Sequence, residues 1–528
     1  MLINFTVRNF LSIGEELTLS MNEYMENHRK HNSIIVPDDS NYTRRVSAIF
    51  GLNGSGKSNI VKALETMKNI ITNPYFTTSE PISHWSGKYG NITQFKIMFS
   101  LNQDIYMYST DVYPIDIDGN GKGPYMYSIS KESLTTLVPD ISGDYYSDIP
   151  IFNIEYDEFD NNFTNTSKMG KNVTKEFEIK DTGWHILKSK MAENARLRTH
   201  MKKLYRSIDK FETSIFDSSL DVEKKRVRQR KYDMRYKIAE IGSKIVKNSF
   251  LINSIHCEST KRLSVLYTGD PSSLKNIDPQ EFNESCNRVF DWFCFGLTII
   301  GTNDYVLPLE TDRYIDYLSS ILYSMDTGIE KILWKEVDIV KDLKEIERVK
   351  YYLAENETQR LINAKRISLR NGIGVSLVLK GDRDYFKFSY ASGKESVSRL
   401  MALHSDEEIP FPLSEESDGT LRILEISVAT LPDISDRTFI IDEIDRRLHT
   451  LVSKKMVNLF INKGNAYNQL IFTTHEMRLM STEILCIQDL LGVKKVNSET
   501  ILYPLKKLRA KNRSKRLDRL YLDSIKHT

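Results

Sequence analysis

The feature that most narrows what this chain can be is Gly51-Leu-Asn-Gly-Ser-Gly-Lys-Ser58. It fits the phosphate-loop pattern G-x-x-x-x-G-K-[ST] at every fixed position. Residues 46–50 before it form an apolar run, interrupted only by Ser47, that reads as a strand, and Asn59-Ile-Val-Lys-Ala-Leu-Glu65 after it reads as a helix. A glycine-rich turn ahead of an ordinary helix would explain the loop alone. The complete match in a strand–loop–helix setting specifies a phosphate cradle instead. Across Gly51, Asn53, Gly54, Ser55 and Gly56 the backbone can curl so that its N–H groups face phosphate oxygens. Asn59 follows in the first turn of the helix, whose N-terminus adds favourable potential. Lys57 is placed to reach the β- and γ-phosphates of ATP, and Ser58 to hold Mg²⁺.

Two more strand ends carry chemistry. Thr438-Phe-Ile-Ile-Asp-Glu443 is an apolar strand that ends in two carboxylates, the form of a Walker B element. At the carboxyl edge of an open α/β sheet, where ligands bind, Asp442 would take part in Mg²⁺ binding and Glu443 would orient or deprotonate an attacking water. Leu470-Ile-Phe-Thr-Thr-His475 ends in hydroxyls and a histidine, a side chain able to hydrogen-bond a γ-phosphate or the attacking water. Ser417-Asp-Gly-Thr420 precedes an apolar-periodic run over 421–431 and has the composition of a helix N-terminus, which is also an anion site.

Composition excludes several classes. With 528 residues the chain exceeds one simple core, and about 150 residues per domain predicts two to four units. The net charge of +2 makes the whole molecule no obvious polyanion binder. The four cysteines form no C-x-x-C pair and no zinc-finger spacing, which argues against a structural zinc or a disulfide framework and fits a reducing, cytoplasmic setting. No run approaches the ~18 apolar residues needed to span a membrane, and the first residues lack the apolar core of a signal peptide.

Short alternating patterns over 2–10, 16–21, 94–99 and 105–112 predict strands beside the phosphate loop. Helical patterns dominate 183–250 and 279–359, and strands resume at 375–379 and 385–390. The expected organisation is a nucleotide-binding domain in two halves. Residues 1–130 carry the loop, 131–370 form a mainly helical insertion, and 371–528 carry the remaining motifs and a basic tail. Basic residues crowd 224–237 and 506–519, where nucleic acid phosphates could be met, although charge runs are more often solvated faces.

In order (phosphate loop, Ser417 segment, Walker B, His475), these elements resemble the heads of ABC-type ATPases. The closer resemblance is to the prokaryotic OLD-like group, related to RecF and SMC-type heads and found in anti-phage systems such as Septu, PARIS and retron-associated modules. Three stretches carry it: Phe5-Thr-Val-Arg-Asn-Phe-Leu-Ser12, Leu413-Ser-Glu-Glu-Ser-Asp-Gly-Thr-Leu-Arg422, and Ile441-Asp-Glu-Ile-Asp-Arg-Arg-Leu-His449 with Gln469-Leu-Ile-Phe-Thr-Thr-His475. The resemblance covers about 1–115 and 370–525. It implies an α/β head, a mixed sheet with an antiparallel subdomain, interrupted by a large helical insertion.

The resemblance also implies an ATPase using ATP and Mg²⁺. Two heads meet head to tail as a homodimer or higher oligomer, with ATP on one loop covered by Ser417 and Gly419 of the other chain. Lys57, Glu443 and His475 act in hydrolysis, with Ser58 and Asp442 on the metal. Ser417-Asp-Gly-Thr replaces the transporter form Leu-Ser-Gly-Gly, which leaves the role of Asp418 open. No Q-loop glutamine is assigned, and Gln94 reads better as a surface residue. The family role implied is a sensor or control ATPase in abortive infection, working with a separate effector nuclease or toxin and not with a membrane. About 50 residues follow His475, short of a typical domain, so effector chemistry is expected on another polypeptide. The alternatives are a RecF-like DNA-maintenance ATPase that binds DNA when ATP is bound, and a self-contained toxin.

Overall fold

The computed structural model of the protein describes residues 1–23, 33–35, 42–72, 78, 86–101, 104–116, 125–139, 146–157, 162–165, 279–301, 312–337, 374–380, 383–391, 394–405, 407–480, 484–511 and 517–526. Its centre is a six-stranded sheet. Leu297–Ile300, Thr438–Ile441, Gln469–Thr474, Val46–Gly51 and Leu490–Val496 follow one another as parallel neighbours. Glu499–Pro504 closes one edge antiparallel to Leu490–Val496. Val46–Gly51 is buried at every position, as a strand covered on both faces must be. Parallel pairing points the carboxyl ends of all five strands the same way, so the three sequence motifs emerge at one edge.

The period of two along a strand sends alternate residues to opposite faces. Ile49 joins one hydrophobic cluster, while Val46, Ala48 and Phe50 join the other. The Ile49 cluster contains the helix Lys57–Thr72, whose apolar positions Ile60, Ala63, Leu64, Met67 and Ile71 recur at helical spacing and face inward. It also contains Phe5, Phe95 and Phe99 of a seven-stranded antiparallel sheet, in which Thr93–Leu101, Leu2–Arg8 and Leu17–Ser20 form one end. Phe99 stacks on Trp292 with ring centroids 3.9 Å apart. The second cluster joins the helices Asp418–Ser427, Thr450–Lys463 and Asp312–Ser324 to a smaller antiparallel sheet, ordered Ile329–Glu336, Lys394–His404, Tyr385–Ala391, Val375–Lys380. Among the described residues no helix is long and apolar enough to cross a membrane.

Two buried polar side chains bind the layers together. Gln469 Oε1 accepts from the Leu2 amide (2.9 Å) and from Thr438 Oγ1 (3.0 Å), and its Nε2 donates to Leu2 O (3.0 Å) and Arg44 O (2.9 Å). All of its hydrogen-bonding capacity is met, which makes complete burial tolerable. Arg45 donates to the carbonyls of Phe460, Ile461, Gly464 and Asn465, capping the helix Thr450–Lys463 where its last carbonyls lack partners.

The strands expected at the N-terminus, at 94–99, 105–112, 375–379 and 385–390, and at the motif positions are present. The span 131–370, read as a mainly helical insertion, differs in its described part. It holds the helices Pro279–Asp291 and Asp312–Ser324 but also the strands Tyr146–Asp157, Leu297–Ile300 and Ile329–Glu336. Leu297–Ile300 pairs with the Walker B strand, and Ile329–Glu336 pairs with Lys394–His404. Leu297–Ile300 is a short apolar run whose period does not separate strand from helix, and Ile329–Glu336 carries four charged residues among its apolar ones; in both the pairing partner decided the outcome. The helical pattern at 183–250 and the basic segment 224–237 lie outside the described residues.

Candidate nucleotide site

The phosphate loop turns sharply between strand and helix. Gly54 and Gly56 take φ of +74° and +104°, a region that side-chain-bearing residues rarely enter. A Cβ at Gly56 would stand 2.0 Å from Thr500 Oγ1, and one at Gly51 would stand 2.3 Å from Ser55 Oγ. Gly54 has open space where its side chain would be. Thr500 comes from the antiparallel edge strand and braces the loop from behind. Its hydroxyl donates to Ser55 O (3.2 Å) and lies 2.6 Å from Ser12 Oγ, which in turn accepts from Asn59 Nδ2 at 2.6 Å. The Asn59 side chain, read as a nucleotide contact, is thus turned to Ser12. Ser55 Oγ is buried and makes no hydrogen bond.

Lys57 folds back over its own loop. Its Nζ donates to Gly51 O (2.7 Å) and Leu52 O (3.2 Å) and stands 3.2 Å from His475 Nδ1. An ammonium can only donate, so Nδ1 is the acceptor and a neutral ring carries its proton on Nε2. That nitrogen lies 3.5 Å from Glu443 Oε1. Burial lowers the Lys57 pKa below its ordinary value, and the negative charges of Asp442, Glu443 and Asp445 oppose that shift. Lys57, His475 and Glu443 therefore form a chain of contacts across three strand ends, and Asp442 adjoins it.

The Walker B tip is held by groups that local pattern did not single out. Thr473, fully buried, donates from Oγ1 to Asp442 Oδ1 (2.5 Å) and accepts the Glu443 N–H (2.7 Å). Glu443 itself has φ of +48°. Arg422, in the helix Asp418–Ser427, donates to Asp442 O (2.6 Å) and Glu443 O (3.2 Å), and burial lowers its pKa. Asp445 Oδ2 accepts the His475 N–H (3.2 Å), while its Oδ1 is buried without a partner. The "Thr-Thr-His" strand end was the one sequence signal for Thr473; a charged residue among Leu421, Ile423 and Leu424 was the signal for Arg422.

Ser417 and Gly419 sit at the start of the helix Asp418–Ser427. Ser417 is its N-cap, with Oγ accepting the Thr420 N–H at 3.0 Å. A Cβ on Gly419 would come within 3.0 Å of Arg447 O. Gln94 lies in the antiparallel sheet and donates to Asp111 Oδ2 (2.9 Å), a surface role. In the tail segment 506–519, Lys506 and Lys507 are exposed at the start of the helix Lys506–Lys511.

A cavity of about 440 Å³ opens at the mouth of the site, bounded by Gly51–Asn53, His475 and, from the C-terminal helix Leu517–Lys526, Tyr521 and Leu522. The loop's open face at Gly54, the unpaired Ser55 hydroxyl and the convergent carboxylates fit a nucleoside triphosphate with a divalent cation. Among the described residues no group of three or more His, Cys, Asp or Glu side chains could hold a metal ion. A cation here would need oxygens from the nucleotide as well as Ser58 and Asp442.

Residues 298–481 match the family model described as "AAA domain, putative AbiEii toxin, Type IV TA system". The described residues have a mixed α/β fold, and the matched span is similar to an ATPase-type domain. The matched span, about a third of the chain, includes the Ser417 segment, the Walker B pair and His475, while the phosphate loop lies before it. No curated protein matches the chain. Among solved structures, an Smc head bound to the C-winged helix domain of ScpA is similar at 12% identity, over 95% of this chain and 96% of that one, with a TM-score of 0.35. An Smc head with an extended coiled coil, bound to the C-terminal domain of ScpA derived from Pyrococcus furiosus, is similar at 11% identity over 97% and 98%, TM-score 0.31. The SMC head domain from Thermotoga maritima is similar at 13% over 95% and 98%, TM-score 0.28. The fold rests on the strand order of the central sheet.

Proposed function

We propose that this protein binds and hydrolyses ATP with Mg²⁺ and works as a switch. The observation that carries this is the contact chain Lys57–His475–Glu443 at the edge where the loop, Walker B and histidine strands end together. The backbone of Gly51–Gly56 and Lys57 would bind the phosphates, and Ser58 and Asp442 would hold the cation. The cation would supply charge neutralisation on the phosphate oxygens. Glu443 would orient and take the proton of the attacking water, with His475 fixing it from one side. Ser417 and Gly419 would cover the nucleotide of a second copy, making closure of the dimer the event that ATP controls.

We further propose that the switch controls a separate effector in anti-phage abortive infection. The family description, which names a toxin of a type IV toxin–antitoxin system, supports a role of this kind. The same wording favours a second reading, in which this chain is itself the toxin.

The test uses Glu443→Gln. Turnover should fall by about 10²–10⁴-fold while ATP binding persists, and ATP with Mg²⁺ should convert the protein to a dimer in light scattering. Lys57→Ala should lose nucleotide affinity. Normal turnover in the Glu443 variant, or unchanged affinity in the Lys57 variant, defeats the assignment. A stoichiometric second protein purified with the trapped dimer favours the control role. Growth arrest by this chain alone, lost with Lys57→Ala, favours the toxin.

A further inference from the structure

Asp418 stands between the N-cap serine and the glycine of the Ser417 segment, and its charge is held from two sides. Oδ1 accepts from Arg383 Nη1 at 2.6 Å, and Oδ2 lies 3.2 Å from Arg447 Nη1. Arg383 lies two residues before the strand Tyr385–Ala391, and its Nη2 also donates to Glu416 O (2.6 Å). Arg447 belongs to the loop after Walker B and is held at φ of +61°, an uncommon conformation for a long side chain. One turn further along the same helix, Arg422 grips both Walker B carbonyls. The loop between these two ties is short and internally bonded: Arg446 N donates to Glu443 O (3.0 Å), and Leu448 N to Asp445 O (3.1 Å). Asp445 then carries the link to the His475 amide.

The first two turns of this helix are thus joined to the Walker B loop of their own chain at both ends of that loop. Arg422 Nη2 alone serves both carbonyls while Nη1 reaches Glu425 Oε2 at 3.2 Å, so the rigid, buried guanidinium is held from two sides; Lys380 also holds Glu425. Glu443 sits in a backbone conformation that surrounding contacts must maintain.

We propose that Asp418 and Arg422 are positioning residues that set the Glu443 carboxylate. Displacement of the Ser417 segment is transmitted through Arg447 and Arg422 to the Walker B loop and from there to His475. This rests on the ATPase reading above. It gives the aspartate of Ser-Asp-Gly-Thr a task apart from nucleotide contact. Covering the Ser417 segment with a second copy would change the geometry of the covered chain's own Glu443, so the two sites of a dimer would report on each other.

The experiment uses the full chain with Asp418→Asn, Asp418→Glu, Arg447→Gln, the Asp418→Asn/Arg447→Gln pair, and Arg422→Lys, which keeps the buried charge but loses the planar group that spans the two carbonyls and Glu425. Amide hydrogen exchange of 443–449 is measured without nucleotide, and kcat and KM are measured with ATP. Exchange should quicken in Asp418→Asn and Arg422→Lys. Turnover should fall about 10-fold with KM within about twofold of its original value, the size of an ordinary coupling between sites. Asp418→Glu should recover part of the loss, and the double variant should be no slower than either single one. Unchanged exchange overturns the proposal, as does quickened exchange with kcat intact, additive losses, or a rise in KM alone. Should the unmodified protein fail to hydrolyse ATP, the ATPase reading falls and positioning of a catalytic Glu443 falls with it, while the exchange comparison still decides whether the tie exists.

Discussion

Thr473→Val is the sharpest single test of how the site is built. The side chains have nearly the same shape, so the change removes a hydroxyl and little else. That hydroxyl is completely buried and serves two partners, donating to Asp442 Oδ1 and accepting the Glu443 N–H. A backbone N–H left without a partner costs about 1–3 kcal/mol, and a hydrogen bond to a charged group contributes about 1.5–3 kcal/mol. The second figure needs discounting, because Asp442 is partly exposed and water can replace the lost donor. The expected loss is about 2–4 kcal/mol, a large share of the roughly 5–15 kcal/mol that holds a typical domain folded. Urea denaturation reads this as a lower midpoint at unchanged slope. Turnover should drop by about 10- to 100-fold, since small misplacements of catalytic groups are costly. Thr473→Ser should restore most of both. Full stability and full turnover in Thr473→Val would refute the idea that this hydroxyl sets the Walker B tip.

Gly56→Ala must adopt φ of +104° and place its methyl 2.0 Å from Thr500 Oγ1, displacing the hydroxyl that braces Ser55 and Ser12. A stability loss of about 2 kcal/mol or more and loss of ATP binding are expected, read by denaturation and by a fluorescent nucleotide titration. Lys68, in the last turns of the helix Lys57–Thr72, donates to Leu297 O (2.6 Å), and burial pulls its pKa from 10.5 to about 8. Between those values the unfolded chain binds the proton and the folded one does not, so stability rises with pH from about 8 to 10.5, by roughly 3 kcal/mol in all. That contribution is full above 10.5 and lost as pH falls through about 8; Lys68→Met should lack this rise when its stability profile is compared with that of the unmodified protein.

Much of the site was legible because its parts are local. The phosphate loop needs glycines at φ values that only glycine adopts cheaply, a lysine, a hydroxyl and a helix start, all within eight positions. The Walker B and histidine strands are apolar runs ending in polar groups, and their order along the chain predicts which edge they share. The described helices and strands at these motifs lie where the pattern places them.

What the tertiary structure alone decided is which distant groups hold those parts in place. Gln469 meets Leu2 across 467 positions, and Thr500 meets Ser55 across 445. Arg422 could equally have been a solvated charge on an amphipathic helix; only packing against the Walker B strand makes it a clamp on two carbonyls. Leu297–Ile300 is too short to declare itself a strand, and it becomes one because Thr438–Ile441 has an open edge beside it. Short-range chemistry is written in residue order, since backbone conformation and capping act within a turn or two. Pairing partners, register and buried polar ties are settled by the burial of surfaces hundreds of residues apart, and one chain read from end to end does not say which surfaces will meet.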